Sequence, residues 1–428
     1  MRNYIDVLKK IEQTGVKAWL VGDTVRMIEM GVQPEYITLA IDSKKDLYSV
    51  ALSIGTGTVD ARGPYPALRG VISGVPFRAF ALRGRTIEDD LACRDLSIEA
   101  IAIRSDGGLV DPFGGRFDIR NKVIRLTGDD VDLIDRDPLR ILRMLRFAAE
   151  LEMDIFWKSA SDVRKFLDSH ASRMNNIAPE RWGREILKGI KRRPYRFMQL
   201  CDDYGLIPFF LKDLENLKHV PDDDGGNLFE HVMKTLHAIE KRIDTHKVMQ
   251  NDAFILSGLF SRIGTTVLKD DNRPKSADHL IQDYMTKWNV PAEIIEDVIA
   301  IANNYRNFYK PLSEMSLCRT VLKYSQDAAR AALEYALCIA QTEVFLPGYR
   351  EALEENDWRL NQVARRFNTV SMQNEGSSRY LTGREVMHLL NMKPGPKVGE
   401  LLNDLDIAVG LGEVSSRTRA EDWLKAHA

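Results

Sequence analysis

RDPLRILRMLRFAAEL, residues 136–151, carries the densest pattern in the chain. Arg136, Arg140, Arg143 and Phe147 recur at helical spacing and share one face, while Leu139, Leu142 and Leu145 form a separate stripe. Asp137 and Arg140 stand three apart, so both side chains can turn to one side. Such a pair suits recognition of a nucleobase. The carboxylate accepts from an exocyclic amine, and the guanidinium donates to a ring nitrogen or a carbonyl oxygen. The same spacing also fits a solvated basic helix with Asp137 favoured by the dipole near its N-terminus.

Outward from this stretch the chain changes character at about residue 130. Before it, helix and strand signals are mixed. Helices are expected over 4–14, 24–30 and 44–53, and strands over 18–21, 36–41, 75–82 and 98–103. The Gly-, Pro- and Arg-rich segment 55–70 is expected as a loop and Asp111–Gly115 as a turn. This is the order of a small α/β or α+β domain. After it, amphipathic helices are expected over 138–151, 158–169, 179–190, 227–243, 251–262, 275–288, 292–305, 324–342 and 348–366. Residues 367–379 are polar and weakly patterned, a linker signal, and 383–426 form a last helical unit.

The 428 residues are 44% hydrophobic and 29% charged, and at about 100–200 residues per domain they suggest roughly two to four domains. Sixty basic and 62 acidic residues leave a net charge of −2, so no global basic excess signals a polyanion partner. A local basic stripe over phosphates remains compatible with that balance. Cys93, Cys201, Cys318 and Cys338 are scattered, with no CxxC motif, which fits a reducing compartment. The amphipathic opening MRNYIDVLKKIEQTG lacks the apolar core of a secretion signal, and no apolar run approaches the ~20 residues that span a bilayer. A soluble, cytoplasmic protein that avoids membranes is expected.

Two further stretches carry chemistry. In CRDLSIEAIAI, 93–103, Arg94 and Asp95 stand where they can contact ribose and phosphate, or form an ordinary salt bridge at a strand entrance. In LVGDTVRM, 20–27, a strand, the Gly22 turn and a helix with Arg26 in its first turn make a natural cradle for a triphosphate.

In this order, the motifs resemble the class II tRNA nucleotidyltransferases, the family of bacterial CCA-adding enzymes and poly(A) polymerases. Its LVGGAVRD-like turn, RRDFTINALA, DPFGG and EDPLRILRAVRFAAEL correspond here to LVGDTVRM, CRDLSIEAIAI, VDPFGG and RDPLRILRMLRFAAEL. APERWGREILKGI, 178–190, resembles its Glu-Arg-x-x-x-Glu helix through Glu180, Arg181 and Glu185. LFEHVMKTLHAI, 228–239, resembles the opening of its HD-like body, and LTGREVMHLLNMKPGPKVGELL, 381–402, its tail.

The resemblance implies an α+β fold with a nucleotidyltransferase-type head on a mixed sheet over 1–130. An elongated all-α remainder would follow: a neck over 131–212 binding nucleotide base and RNA, a degenerate HD-like body over 213–366, and tail helices over 380–428. It implies RNA, tRNA or another RNA 3′ end, and ATP or CTP as ligands. It implies Gly22, Arg26, Arg94, Asp95, Asp137, Arg140 and Arg143 as nucleotide-binding residues.

Family chemistry is in-line attack of an RNA 3′-hydroxyl on an α-phosphate between two Mg²⁺ ions. Two Asp residues alternate on one strand to hold them. In EYITLAID, 35–42, those metal positions become Tyr36 and Thr38, neither of which supplies a carboxylate charge. Sliding the register to reach Asp42, the candidate metal ligand, leaves Ala40 as its partner, and residues 61–87 contain no Asp or Glu. The glycine pair becomes Gly22–Asp23, and Arg136 stands where the family has Glu. LFSRIGT, from Leu259, stands where relatives with an HD site read LLHDIGK.

The expectation is a family protein that binds RNA 3′ ends and nucleotide with lost or strongly reduced transfer, so that the implied Mg²⁺ is in question. The alternative is an active 3′-end nucleotidyltransferase with ligands relocated among Asp42, Asp46, Asp60, Asp95 and Asp111. A third reading is a structural or regulatory partner of a functional paralogue, with the helical body as its interaction surface.

Overall fold

AWLV is wholly apolar and ITLAI is apolar but for Thr38, and each makes a strand buried along its whole length. These are β1 (Ala18–Val21) and β2 (Ile37–Ile41). They belong to a computed structural model describing residues 2–42, 47–60, 66–128, 131–222, 225–246, 252–263, 277–324, 326–340, 349–373 and 379–428. The chain divides into two compact units, Met1–Gly189 and Ile190–Ala428.

In the first unit, β1 and β2 are joined by β3 (Thr58–Asp60), β4 (Ala67–Ile72), β5 (Val75–Ala81), β6 (Ala102–Arg104) and β7 (Leu109–Val110). The sheet order is β3-β4-β5-β2-β1-β6-β7. Only the β2–β5 pairing is parallel, so the sheet is mixed. Helices α1 (Arg2–Glu12), α2 (Asp23–Glu29), α3 (Leu47–Ile54), α4 (Ile87–Ala92) and α5 (Gly115–Arg120) accompany it. Then come α6 (Val131–Arg136), α7 (Leu139–Leu151), α8 (Trp157–His170) and α9 (Pro179–Arg192). The short strands β8 (Val123–Ile124) and β9 (Asp154–Ile155) pair in parallel beside them.

The α+β class holds: a mixed-sheet head precedes helices. Several expectations do not. Segment 55–70, expected as a loop, contributes β3 and most of β4. Gly57 and Gly70 in it serve strand packing, and residues 61–65 lie outside the described residues. A Cβ on Gly57 would lie 2.7 Å from the Arg69 carbonyl oxygen, and one on Gly70 would lie 2.9 Å from the Phe77 ring. The strand expected over 98–103 is confined to β6. Ser97–Glu99 forms a 3₁₀ turn instead, tied by the Ser97 hydroxyl to Asp118 at 2.6 Å. Arg136 ends α6, and Pro138 stands at the cap of α7, so Arg136 does not continue the face of Arg140 and Arg143.

Pairing between α7 and α9 is ionic as well as apolar. Arg146 donates to Glu185 at 2.8 Å and lies 3.1 Å from Glu150. Burial pushes the Glu185 carboxyl up, but Arg146, Lys188 and Arg143 outweigh it and hold it below its ordinary range.

The second unit is helical. Leu228–His246, Asp252–Phe260, Ala277–Lys287, Ala292–Asn304, Glu314–Tyr324, Gln326–Ile339 and Tyr349–Gln373 precede Gly383–Leu389, Pro396–Leu411 and Arg417–His427. The linker expected over 367–379 is helical as far as Gln373, because buried Phe367 and Val370 extend the stripe of Leu360, Val363 and Ala364. Its remaining part over 374–378 lies outside the described residues, as do expected helix positions 44–46, 251, 275–276, 325, 341–342 and 348. His231 is buried. Its Nε2 accepts from Arg262 at 3.1 Å, which leaves Nδ1–H to donate to Asp222 at 3.1 Å.

Two outcomes follow. Because the folded carboxyl of Glu185 is depressed, its contribution to stability is present above the ordinary carboxylate value and is lost as pH falls through the folded value. Glu185→Gln should cost about 2–4 kcal/mol near neutral pH, with the gap in thermal midpoint closing in acid. A gap independent of pH would contradict the assignment. Gly22 has φ +64° and ψ −132°, and a Cβ there would lie 2.7 Å from Arg94 Nη1. Gly22→Ala should therefore destabilise by about 1–3 kcal/mol in urea unfolding; an unchanged midpoint would contradict it.

Candidate active site

Strand β2 meets α2 through one hydrogen bond: the Thr38 amide donates to the buried Thr24 hydroxyl at 2.7 Å. This contact sets the start of β2 against the Gly22 turn. Tyr36, Thr38 and Ala40 then alternate along one face, as a period of two requires, and all three line a cavity of about 770 Å³. On the neighbouring β5, Thr38 is in register with Arg78. Arg78 and Phe80 take the face opposite buried Phe77 and Ala79, and they also line the cavity.

The other walls come from α2, the stretch through α4 to Glu99, α7 and α9. Six cationic side chains line the cavity: Arg26, Arg78, Arg83, Arg94, Arg146 and Lys188. Four carboxylates answer them, Asp23, Asp90, Glu99 and Glu150, so the lining carries an excess of two positive charges (six against four). Arg26 Nε donates to Glu99 at 2.5 Å. Burial pushes the Glu99 carboxyl above its ordinary value despite that partner. Asp90 receives Arg83 at 3.0 Å and Arg94 at 2.9 Å. Burial raises its carboxyl, but the two guanidinium groups outweigh it and hold it low. The Phe147 ring has Arg26 at 5.3 Å and Arg146 at 4.2 Å, both within cation–π range.

The residues singled out from the sequence separate into two groups. Gly22, Arg26 and Arg94 line the cavity. Asp95, Asp137, Arg140 and Arg143 do not; they form an ion network beside it. Asp95 receives Arg140 at 3.1 Å and Arg143 at 2.6 Å. Asp137 receives Arg181 at 2.9 Å and Arg143 at 3.3 Å. Burial works against the charge on Arg143, but Asp95, Asp137 and Glu185 more than offset it. The sequence reading missed Arg78, Arg83, Asp90, Arg146, Glu150 and Lys188 as lining residues. Arg146 and Glu150 could have been found, since they stand next to Phe147 and one turn on from it along the same helix.

Tyr36 and Thr38 offer neutral oxygens where Mg²⁺ needs carboxylates. The Tyr36 hydroxyl donates to Asp23 at 2.9 Å, and the Thr38 hydroxyl accepts from Arg78 at 3.4 Å. Partial burial, then the Asp23 charge, raises the Tyr36 phenol, so it stays protonated. A guanidinium facing neutral donors is a poor fit for a dication. Among the described residues no group of three or more His, Cys, Asp or Glu side chains is placed to hold a metal ion. Asp42 follows the far end of β2, where its amide donates to the Lys17 carbonyl. Asp60 pairs with Arg69 at 3.5 Å, and Asp111 accepts from the Gly115 and Arg116 amides. None of Asp42, Asp60, Asp95 and Asp111 lines the cavity. Asp46 lies outside the described residues.

Residues 66–125 match the model of the poly(A) polymerase head domain. The CCA-adding enzyme of Bacillus subtilis is 25% identical over 439 residues, covering 98% of this chain and 97% of its own. The A-adding tRNA nucleotidyltransferase of Deinococcus radiodurans is 26% identical over 360 residues, covering 79% of each chain. Among solved structures, the Bacillus stearothermophilus CCA-adding enzyme in complex with CTP superposes with a TM-score of 0.65 at 18% identity, covering 100% of this chain and 97% of the other. A tRNA nucleotidyltransferase complexed with a primer tRNA and an incoming ATP analogue gives 0.60 at 17% identity, covering 84% and 99%. These two share the fold. With the head-domain match, the relatives covered along nearly their whole length and the motifs in family order, the chain is similar from end to end to the class II tRNA nucleotidyltransferases.

Proposed function

We propose that this protein binds RNA 3′ ends, tRNA foremost, together with ATP or CTP, and that its nucleotidyl transfer is lost or strongly reduced. The observation carrying the proposal is one face of one strand: Tyr36 and Thr38 line a cationic cavity where the chemistry needs two carboxylates. Binding is supported by the excess positive charge of the lining and by relatives whose names and complexes include tRNA, CTP and an ATP analogue. Gly22, Arg26 and Arg94 belong to the phosphate and ribose side in this reading. Asp137 and Arg140 read the base once their ion pairs with Arg181 and Asp95 open, with Arg143 and Asp95 holding the helix in place.

The division into head 1–130, neck 131–212, HD-like body 213–366 and tail 380–428 is part of the same proposal. So is the degeneracy of the HD-like site, supported by Arg262 bonded to His231. A cytoplasmic location is proposed too, supported by four free cysteines. No helix among the described residues is long and apolar enough to cross a membrane.

The test is addition of labelled CMP or AMP to a 3′-truncated tRNA with Mg²⁺ or Mn²⁺, alongside tRNA binding by mobility shift. Loss of metal stabilisation worth several kcal/mol should place addition about a thousandfold or more below an active relative, while binding persists. Asp137→Ala should weaken nucleotide binding and leave the tRNA shift in place. Addition at a relative's rate rejects the loss of transfer, and absence of any tRNA shift rejects the binding role.

A further inference from the structure

We propose that Arg78 takes the electrostatic place of a divalent cation, so that the cavity receives the phosphate chain of a nucleoside triphosphate free of metal. The inference rests on the reading of the cavity as a nucleotide site.

Position is the first support. The β2–β5 pairing is parallel and places Arg78 directly beside Thr38, with Nη2 3.4 Å from the Thr38 hydroxyl. The guanidinium thus stands over the strand face that carries Tyr36 and Thr38. Its cation–π partners are the Tyr36 ring at 5.5 Å and the Phe80 ring at 5.2 Å. Both rings line the cavity too, so they hold the cation there without neutralising it.

Charge is the second. Arg26 has Glu99, Arg83 and Arg94 share Asp90, Arg146 has Glu185 and Glu150, and Lys188 lies 3.6 Å from Glu185. Among the described residues, Arg78 is the lining cation that has no carboxylate partner. An anion entering the cavity therefore meets full charge at Arg78 and largely cancelled charge elsewhere. The third support is an unmet donor. Arg78 Nε is buried and has no hydrogen-bond partner among the described residues. Buried polar atoms are rarely left so, and phosphate oxygens would satisfy both Nε and the long Nη2 contact.

A guanidinium and a magnesium ion compete for the same phosphate oxygens and repel each other. A metal-chelated triphosphate carries less negative charge to Arg78 and brings a dication against it. Free triphosphate is thus the preferred form, the reverse of a two-metal site.

Titration calorimetry of the full chain with ATP and with CTP, in excess EDTA and again in excess Mg²⁺, tests this. Binding in EDTA should be tighter than in Mg²⁺ by about tenfold. Arg78→Ala and Arg78→Gln should each weaken the EDTA binding by about tenfold or more, and Arg78→Lys should recover part of it. Circular dichroism would check that each variant is folded, and the comparison on the unaltered protein needs no variant. Binding that requires Mg²⁺ overturns the proposal and leaves the nucleotide reading standing. Binding unchanged in folded Arg78→Ala overturns the proposal alone. No binding under either condition overturns both.

Discussion

What the cavity can offer is constrained by β2. Its five residues are buried throughout, with β1 antiparallel on one side and β5 parallel on the other. Such a strand cannot shift by one position without exchanging its faces, which would turn Tyr36 and Thr38 away from the cavity and turn apolar Ile37 toward it. The bond from the Thr38 amide to Thr24 adds a second anchor, joining the strand to the helix after the Gly22 turn. The register to β5 follows, and with it the placement of Arg78. The chemistry of the cavity is therefore set by alternate positions on two neighbouring strands, inside a frame that hydrophobic burial makes stiff.

Around that frame the charges are arranged in pairs. Arg26 with Glu99, Asp90 with two arginines, and Arg146 between Glu150 and Glu185 give a lining that is highly charged yet mostly balanced. The network of Asp95, Asp137, Arg140, Arg143 and Arg181 continues this beside the cavity. Ion pairs so enclosed add modest net stability, but they fix side-chain positions, because breaking one leaves an uncompensated charge. The second unit has a smaller counterpart in Asp222, His231 and Arg262, where a guanidinium again occupies a hydrogen-bonding edge.

Much of this was legible in the sequence. β1 and β2 could be read as apolar runs, α7 from its periodicity, and the family from motifs in order. The glycines of 55–70 misled because glycine marks both a turn and a place where strands pass too close for a side chain, as Gly57 and Gly70 do. The linker misread over 367–373 came from polar residues masking a buried stripe that depends on packing partners far away in the sequence. Arg78 was the least legible. Its importance comes from a pairing between strands separated by two others in the chain, and no local pattern reports which residue stands beside Thr38. The same limit applied to Asp137 and Arg140, whose partners Arg181 and Asp95 are long-range.

The unneutralised guanidinium also bears on how such a site could change over generations. An acid placed at position 38 alone would find Arg78 within reach, since Nη2 already lies 3.4 Å from the Thr38 hydroxyl, and would close into an ion pair. An acid placed at 36 would stand beside the same cation, which lies 5.5 Å from the present Tyr36 ring. Removal of Arg78 alone would leave neutral oxygens and no ligand. Each single change thus leaves either an acid beside Arg78 or neutral oxygens alone, so a carboxylate pair on this face free of the guanidinium needs changes at positions 36, 38 and 78 together. Positions 36, 38 and 78 are therefore coupled: what a substitution at one of them does to the charge of the cavity depends on the residues at the other two.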